Sequence, residues 1–255
     1  MRAFLAIFKR EVVHYFTSPI AYVVIAVFLL LVGFFFYSLI MWFNSQAMQL
    51  AQNPAYYQQI NINQMVFSPL FHNMSIILLL MLPLLTMRLF AEEKKIGTEE
   101  LLLTSPLSVN QIIIGKYLAS LIVLALMLLL TGLLSIFTFA YGNPELAPLL
   151  NGYLGLFLMG GAFLAIGIFY SSLTENQIVA AILTFGTLLL FWVLSWAVPT
   201  AGGIWKDVFN YVSFLQHFDD MTRGILDTSD LVYYLSFSFF GLFLTHSVIQ
   251  SKRWR

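Results

Sequence analysis

Apolar residues fill six stretches of this chain, each separated from the next by a polar or charged interval. An α-helix needs about 20 such residues to cross a hydrocarbon core of roughly 30 Å. The stretches lie at about 19–43, 69–89, 109–140, 148–170, 176–198 and 231–249. They predict an all-α polytopic membrane protein with six transmembrane helices in one domain, 1–255. Residues 1–17 carry a different rhythm. Phe4, Ile7, Phe8, Val12 and Tyr15 recur at spacings of three and four, with Arg2, Lys9, Arg10 and Glu11 on the other arc. This is the pattern of an amphipathic helix lying in the membrane interface.

Local signals punctuate the spans. Thr17 or Ser18 can cap the first span, with Pro19 in its first turn, and Ser68-Pro69 repeats the device at the second. Ser108 with Gln111, and Thr174 with Gln177, have capping-box spacing at the third and fifth spans. Pro83 should kink the second. The uncharged, Gln- and Asn-rich run Asn44–Phe67 reads as a loop, Tyr141–Ala147 as a turn, and Val198–Asp230 as a long segment in which Val208, Phe209, Val212, Phe214 and Leu215 are apolar. Trp192, Trp196 and Trp205 fit an interfacial aromatic belt. In the fourth span Gly161 and Ala165 form a small-x-x-x-small pair, suited to helix packing or to a dimer face.

Charge sets the orientation. Only 9% of residues are charged and the formal net charge is zero, so nucleic acid is not an expected partner. Arg2, Lys9, Arg10, Arg88, Lys94, Lys95, Lys116, Lys252, Arg253 and Arg255 nevertheless fall on one side of the six-span arrangement, leaving Lys206 and Arg223 opposite. By the positive-inside rule both termini and the 88–110 segment are cytoplasmic. The expected setting is the lipid bilayer of a bacterial inner membrane.

Chemistry is sparse. There is no cysteine, and the middle of every span lacks Asp, Glu, Lys, Arg and His, the residues that an intramembrane enzyme or an ion-coupled carrier would need. Thr131, Ser135 and Thr184 lie at depth, where bonding back to the preceding turn accounts for them. Gly115-Lys116 lacks the rest of a phosphate-binding loop. His217, Asp219, Asp220, Asp227 and Asp230 could be read as metal ligands, but a solvated loop and a helix cap suffice, so no catalytic or metal residue is assigned.

Polar chemistry concentrates in Glu92-Glu93-Lys94-Lys95-Ile96-Gly97-Thr98-Glu99-Glu100-Leu101-Leu102-Leu103. Gly97 breaks a helix, Thr98 can cap a new one, Glu99 and Glu100 favour its first turn, and Leu101 to Leu103 give it an apolar face. These residues resemble the segment joining the second and third spans in permeases of ABC type-2 exporters, where Glu-Glu-Lys, Gly-Thr and Glu-Leu-Leu recur. The resemblance covers nearly the whole chain, and within that family it is similar to the gliding-motility-associated (Gld-type) and copper-centre maturation permeases. It implies a transport subunit without its own ATPase site, with ATP and Mg held by separate ABC ATPase subunits. It further implies a second permease subunit, identical or homologous, and leaves room for an auxiliary membrane or extracytoplasmic subunit. Phe4, Phe8, Lys9, Arg10 and Glu11 of the N-terminal helix, and Glu92 to Leu102 with Gly97 and Thr98, would contact the ATPase. A non-transporting membrane scaffold and an intramembrane enzyme are the competing readings.

Overall fold

The computed structural model describes residues 2–50, 61–99, 108–141, 144–199 and 202–253. It is helical throughout these residues. The elements are α1 (Arg2–Thr17), α2 (Pro19–Leu50), a single π-helical turn (Asn63–Phe67), α3 (Ser68–Thr86), α4 (Ala91–Ile96), α5 (Val109–Tyr141), α6 (Leu146–Leu173), α7 (Gln177–Ala197), α8 (Ile204–Val212), α9 (Phe214–Thr222) and α10 (Thr228–Arg253). Six helical segments among the described residues are long and apolar enough to cross a membrane: α2, the 63–96 segment that contains α3, α5, α6, α7 and α10.

Two boundaries differ from the sequence reading. The expected loop at Asn44 is instead helical to Leu50, because Gln46, Ala47, Met48 and Gln49 are competent helix formers and no glycine or proline intervenes. The same loop's far end, Asn63–Phe67, is the π turn that feeds α3 directly; residues 51–60 lie outside the described residues. The expected caps hold at Ser108, whose Oγ accepts from Gln111 N (3.4 Å) while Gln111 Oε1 accepts from Ser108 N (3.3 Å). At α7 the cap is Asn176, not Thr174. Its Oδ1 accepts from Ile178 N and Val179 N, and Thr174 Oγ1 only receives Asn176 N.

α6 is the axis of the bundle, packed against α3, α4, α5, α7, α9 and α10. Of its most apolar stretch 72% is buried, against 22% for α2 and for α7. Between helices in lipid, association rests on close van der Waals approach rather than on expulsion of water, so small residues set the spacing. A Cβ on Gly167 would run into Thr86, and one on Gly152 into the Phe71 ring, both on α3. Gly161 faces Tyr117 and Leu121 of α5 and Ser238 of α10, and Ala165 is fully buried against Gly241 of α10. The Gly161/Ala165 pair therefore packs helices of one chain and presents no face to a second copy.

Polar side chains at depth are locally consumed. Thr131 Oγ1 donates to Leu128 O and Thr184 Oγ1 to Ala180 O, as expected, whereas Ser135 Oγ instead meets Tyr153 Oη of α6 at 3.2 Å. Trp192 is not a belt residue: it is buried, while Trp196 and Trp205 are largely exposed.

The end of the bundle formed by α8 and α9 is closed by aromatic rings. Phe214, fully buried, has Phe163, Phe191, Tyr233 and Phe237 within 6 Å, centroid to centroid. Tyr233 and Tyr234 of α10 donate to Val212 O and Phe214 O, each at 2.7 Å, and so fasten the α8–α9 junction. His217 does not gather with the neighbouring acids as a metal set. It pairs with Asp230 (2.7 Å), reaches Tyr211 O with its other nitrogen (3.1 Å) and stacks on Tyr233, while Asp219 meets His72. No group of three such ligands converges among the described residues.

Candidate functional site: an ion-paired junction of α1, α4 and α5

At the opposite end, α1 lies along the start of α5. Its inner stripe is Ile7, Glu11 and Tyr15, four residues apart and all buried, with Phe8 and Val12 partly buried beside them. Glu11 thus departs from the sequence reading, which set it on the polar arc with Lys9 and Arg10. Those two are exposed, and Phe4 is half-buried. Gly115 permits the approach, since a Cβ there would sit 3.0 Å from Ile7 Cγ2.

Glu11 tolerates burial because it is paired. Lys116 Nζ, on a side chain only 1% exposed, donates to Glu11 Oε1 at 3.2 Å and to Glu93 Oε1 at 2.9 Å. Arg10 Nη2 donates to the same two oxygens at 2.6 and 3.1 Å. Two cations and two carboxylates, drawn from α1, α4 and α5, thereby neutralise one another, and the Lys116 ammonium also lies 5.1 Å from the centre of the Phe90 ring. Burial acts to raise the Glu11 carboxyl, but the Lys116 charge and the Arg10 hydrogen bond outweigh it and hold the group below the ordinary carboxylate range. Burial likewise opposes the Arg10 charge, and Glu11 more than offsets it, leaving the guanidinium raised.

α4 is set in place by the end of α6. Ser171 Oγ accepts from Phe90 N (3.0 Å) and Ala91 N (3.1 Å) and donates to Met87 O (3.0 Å). It does the work of an N-cap from a distant helix, satisfying amides that α4 leaves orphaned. Lys94 Nζ donates to Ser172 O and is buried. α4 then ends as the sequence predicts: Gly97 adopts φ 77°, its N–H reaches Lys94 O, and Thr98 N–H reaches Glu93 O at 2.9 Å, a Schellman closure. Thr98 Oγ1 also donates to Glu93 O, and helical backbone resumes at Glu99. Glu100, Leu101, Leu102 and Leu103 lie outside the described residues.

The structure therefore joins Arg10, Glu11 and Glu93, three residues the sequence singled out, through Lys116, read from the sequence as one more cation and as part of an incomplete phosphate-binding pair. The signal was present: a lone lysine between the apolar runs Ile112–Ile114 and Tyr117–Leu118 needs a partner. Ser171 carried no such signal. Beside the junction lies a cavity of about 290 Å3, walled by α1, the start of α2, the end of α3, and α4.

Comparison with known proteins bears on this arrangement. Residues 5–252 match the family described as ABC-2 family transporter protein. Over 137 residues, 53% of this chain, the sequence is 31% identical to the probable multidrug ABC transporter permease YbhR of Escherichia coli (strain K12), and equally to its counterpart in Escherichia coli O157:H7. The matched stretch spans 37% of the length of those relatives. The family match runs from α1 through α4 and all six long apolar helical segments, so the chain belongs to the ABC-2 family of transporter proteins.

Proposed function

We propose that this chain is the permease half of an exporter driven by a separate ABC ATPase, and that the α1–α4 end of the bundle is its cytoplasmic docking face. One observation carries the reading: two short surface helices, far apart in sequence, are locked to each other and to a span by the Arg10, Glu11, Glu93 and Lys116 network. Force applied to α4 or α1 is passed to α5 through charge-assisted bonds rather than through loose loops. The excess of cations at this end supports its cytoplasmic placement. ATP and Mg belong to the partner in this reading, which must supply the energy.

The substrate path then forms between two permease copies, because α6 is packed solid at the centre of each one. α2 and α7, with little of their apolar surface buried, are the faces left for lipid or for the second copy. α4 presents Lys95 and the exposed Ile96 outward, so these two are the expected contacts with the ATPase. Lys95→Glu combined with Ile96→Asp should lower copurification of the ATPase at least tenfold while leaving membrane insertion and thermal stability intact. Undiminished copurification would refute the docking role of α4.

A further inference from the structure

The cavity beside the junction contains charge that the junction does not use. Arg10, Glu11, Lys116 and one oxygen of Glu93 satisfy one another. Arg88 Nε, Glu92 Oε2 and Glu93 Oε2 are buried without a hydrogen-bond partner, and all three residues line the same cavity of about 290 Å3. A buried guanidinium nitrogen needs an acceptor and a buried carboxylate oxygen needs a donor; leaving them unmet costs more than an ordinary hydrogen bond returns. An occupant bearing one anion and one N–H-rich cation would meet all three.

The remaining wall says where that occupant comes from. Ile20 and Ala21 open the first span, and Leu84 and Leu85 close α3, so the charged rim continues into apolar surface at the level of the spans. Leu84 is 39% exposed. A loop of a soluble partner would match the rim but not this wall. We propose that the cavity holds the headgroup of a zwitterionic phospholipid with a primary amine, its phosphate on Arg88, its ammonium on Glu92 and Glu93, and its acyl chains leaving along Leu84 and Leu85. An ammonium offers three donors, whereas a trimethylated amine offers none. A purely anionic headgroup would satisfy Arg88 but face two carboxylates. Lipid bound there would wedge α1 and α4 against the end of α3, and so set the tilt of the docking face.

Native mass spectrometry of the full-length chain, extracted into detergent with equimolar phosphatidylethanolamine, phosphatidylcholine and phosphatidylglycerol, tests the assignment. One phosphatidylethanolamine should be retained per chain, with a preference of about tenfold over the other two lipids, equivalent to about 1.4 kcal/mol. Arg88→Gln, which removes the partner of a phosphate that all three lipids carry, should lower the retention of each about tenfold, whereas Glu92→Gln should abolish that preference. Glu92→Arg should transfer it to phosphatidylglycerol, a gain that no loss of folding can imitate. Soluble phosphoethanolamine, lacking acyl contact, should not displace the lipid. Equal retention of the three lipids, a preference indifferent to the Glu92 substitutions, retention indifferent to Arg88→Gln, or displacement by micromolar phosphoethanolamine would overturn the proposal. None of these readouts depends on ATPase attachment, so the permease reading stands or falls separately.

Discussion

The two ends of this bundle differ in what chiefly closes them, aromatic rings around one buried His217–Asp230 pair at one and a network of four charges at the other. Where α8 and α9 meet α10, Phe214 is packed among rings, and two tyrosine hydroxyls fasten the junction to backbone carbonyls. Where α1 and α4 meet α5, four charged side chains hold three helices, and unpartnered polar atoms line the cavity beside them. Packing is short-ranged and allows one arrangement, so the aromatic end resists displacement. A buried charge network is weak evidence of net stability, but it fixes geometry and can exchange partners. Under the proposed function, the α1–α4 junction is the end that would move as a unit against a stiff far end.

Breaking the stiff end should cost most. Phe214→Ala removes a fully buried ring and should destabilise the chain by about 3–5 kcal/mol, seen as a lowered melting temperature in detergent. ATPase copurification at low temperature should be preserved, and a melting temperature equal to that of the parent would deny the ring its structural role. Lys116→Met attacks the other end. It strips Glu11 and Glu93 of their shared buried cation and, with Arg10 still in place, should cost about 3 kcal/mol. A nitroxide or fluorophore on a single cysteine in α1 of this Cys-free chain should then report a loosened helix. Adding Glu11→Gln should restore much of the loss, because it removes the orphaned charge; additive losses would show that the two side chains act independently.

The smallest effect is a pH dependence confined to the same end. The folded Glu11 carboxyl lies below its unfolded value, so its contribution is present above the ordinary carboxylate range and is lost as pH falls through the depressed folded value. Label mobility on α1 should therefore not rise within the ordinary carboxylate range and should rise only at more acidic pH. In Lys116→Met, which removes the largest charge holding Glu11 ionised, the rise should begin at higher pH. A label on α8 should show no corresponding shift between the two proteins.

Much of this architecture was legible in the order of residues. Span number, the amphipathic α1, the Ser108–Gln111 cap and the Gly97 terminus all depend on neighbours within one or two helical turns, and such interactions repeat wherever the local sequence does. The α2 end was misread because polar composition was taken for a loop, although Gln, Ala and Met extend a helix readily. The remaining contacts join partners far apart in sequence. Glu11 meets Lys116 across 105 positions, and Ser171 caps the start of α4 across 80. Gly161 and Ala165 spend their smallness inside one chain. The spacing of four that puts Glu11 between Ile7 and Tyr15 on one face of α1 can be read from the sequence, whereas the buried lysine that this face meets is set by how α1 packs on α5.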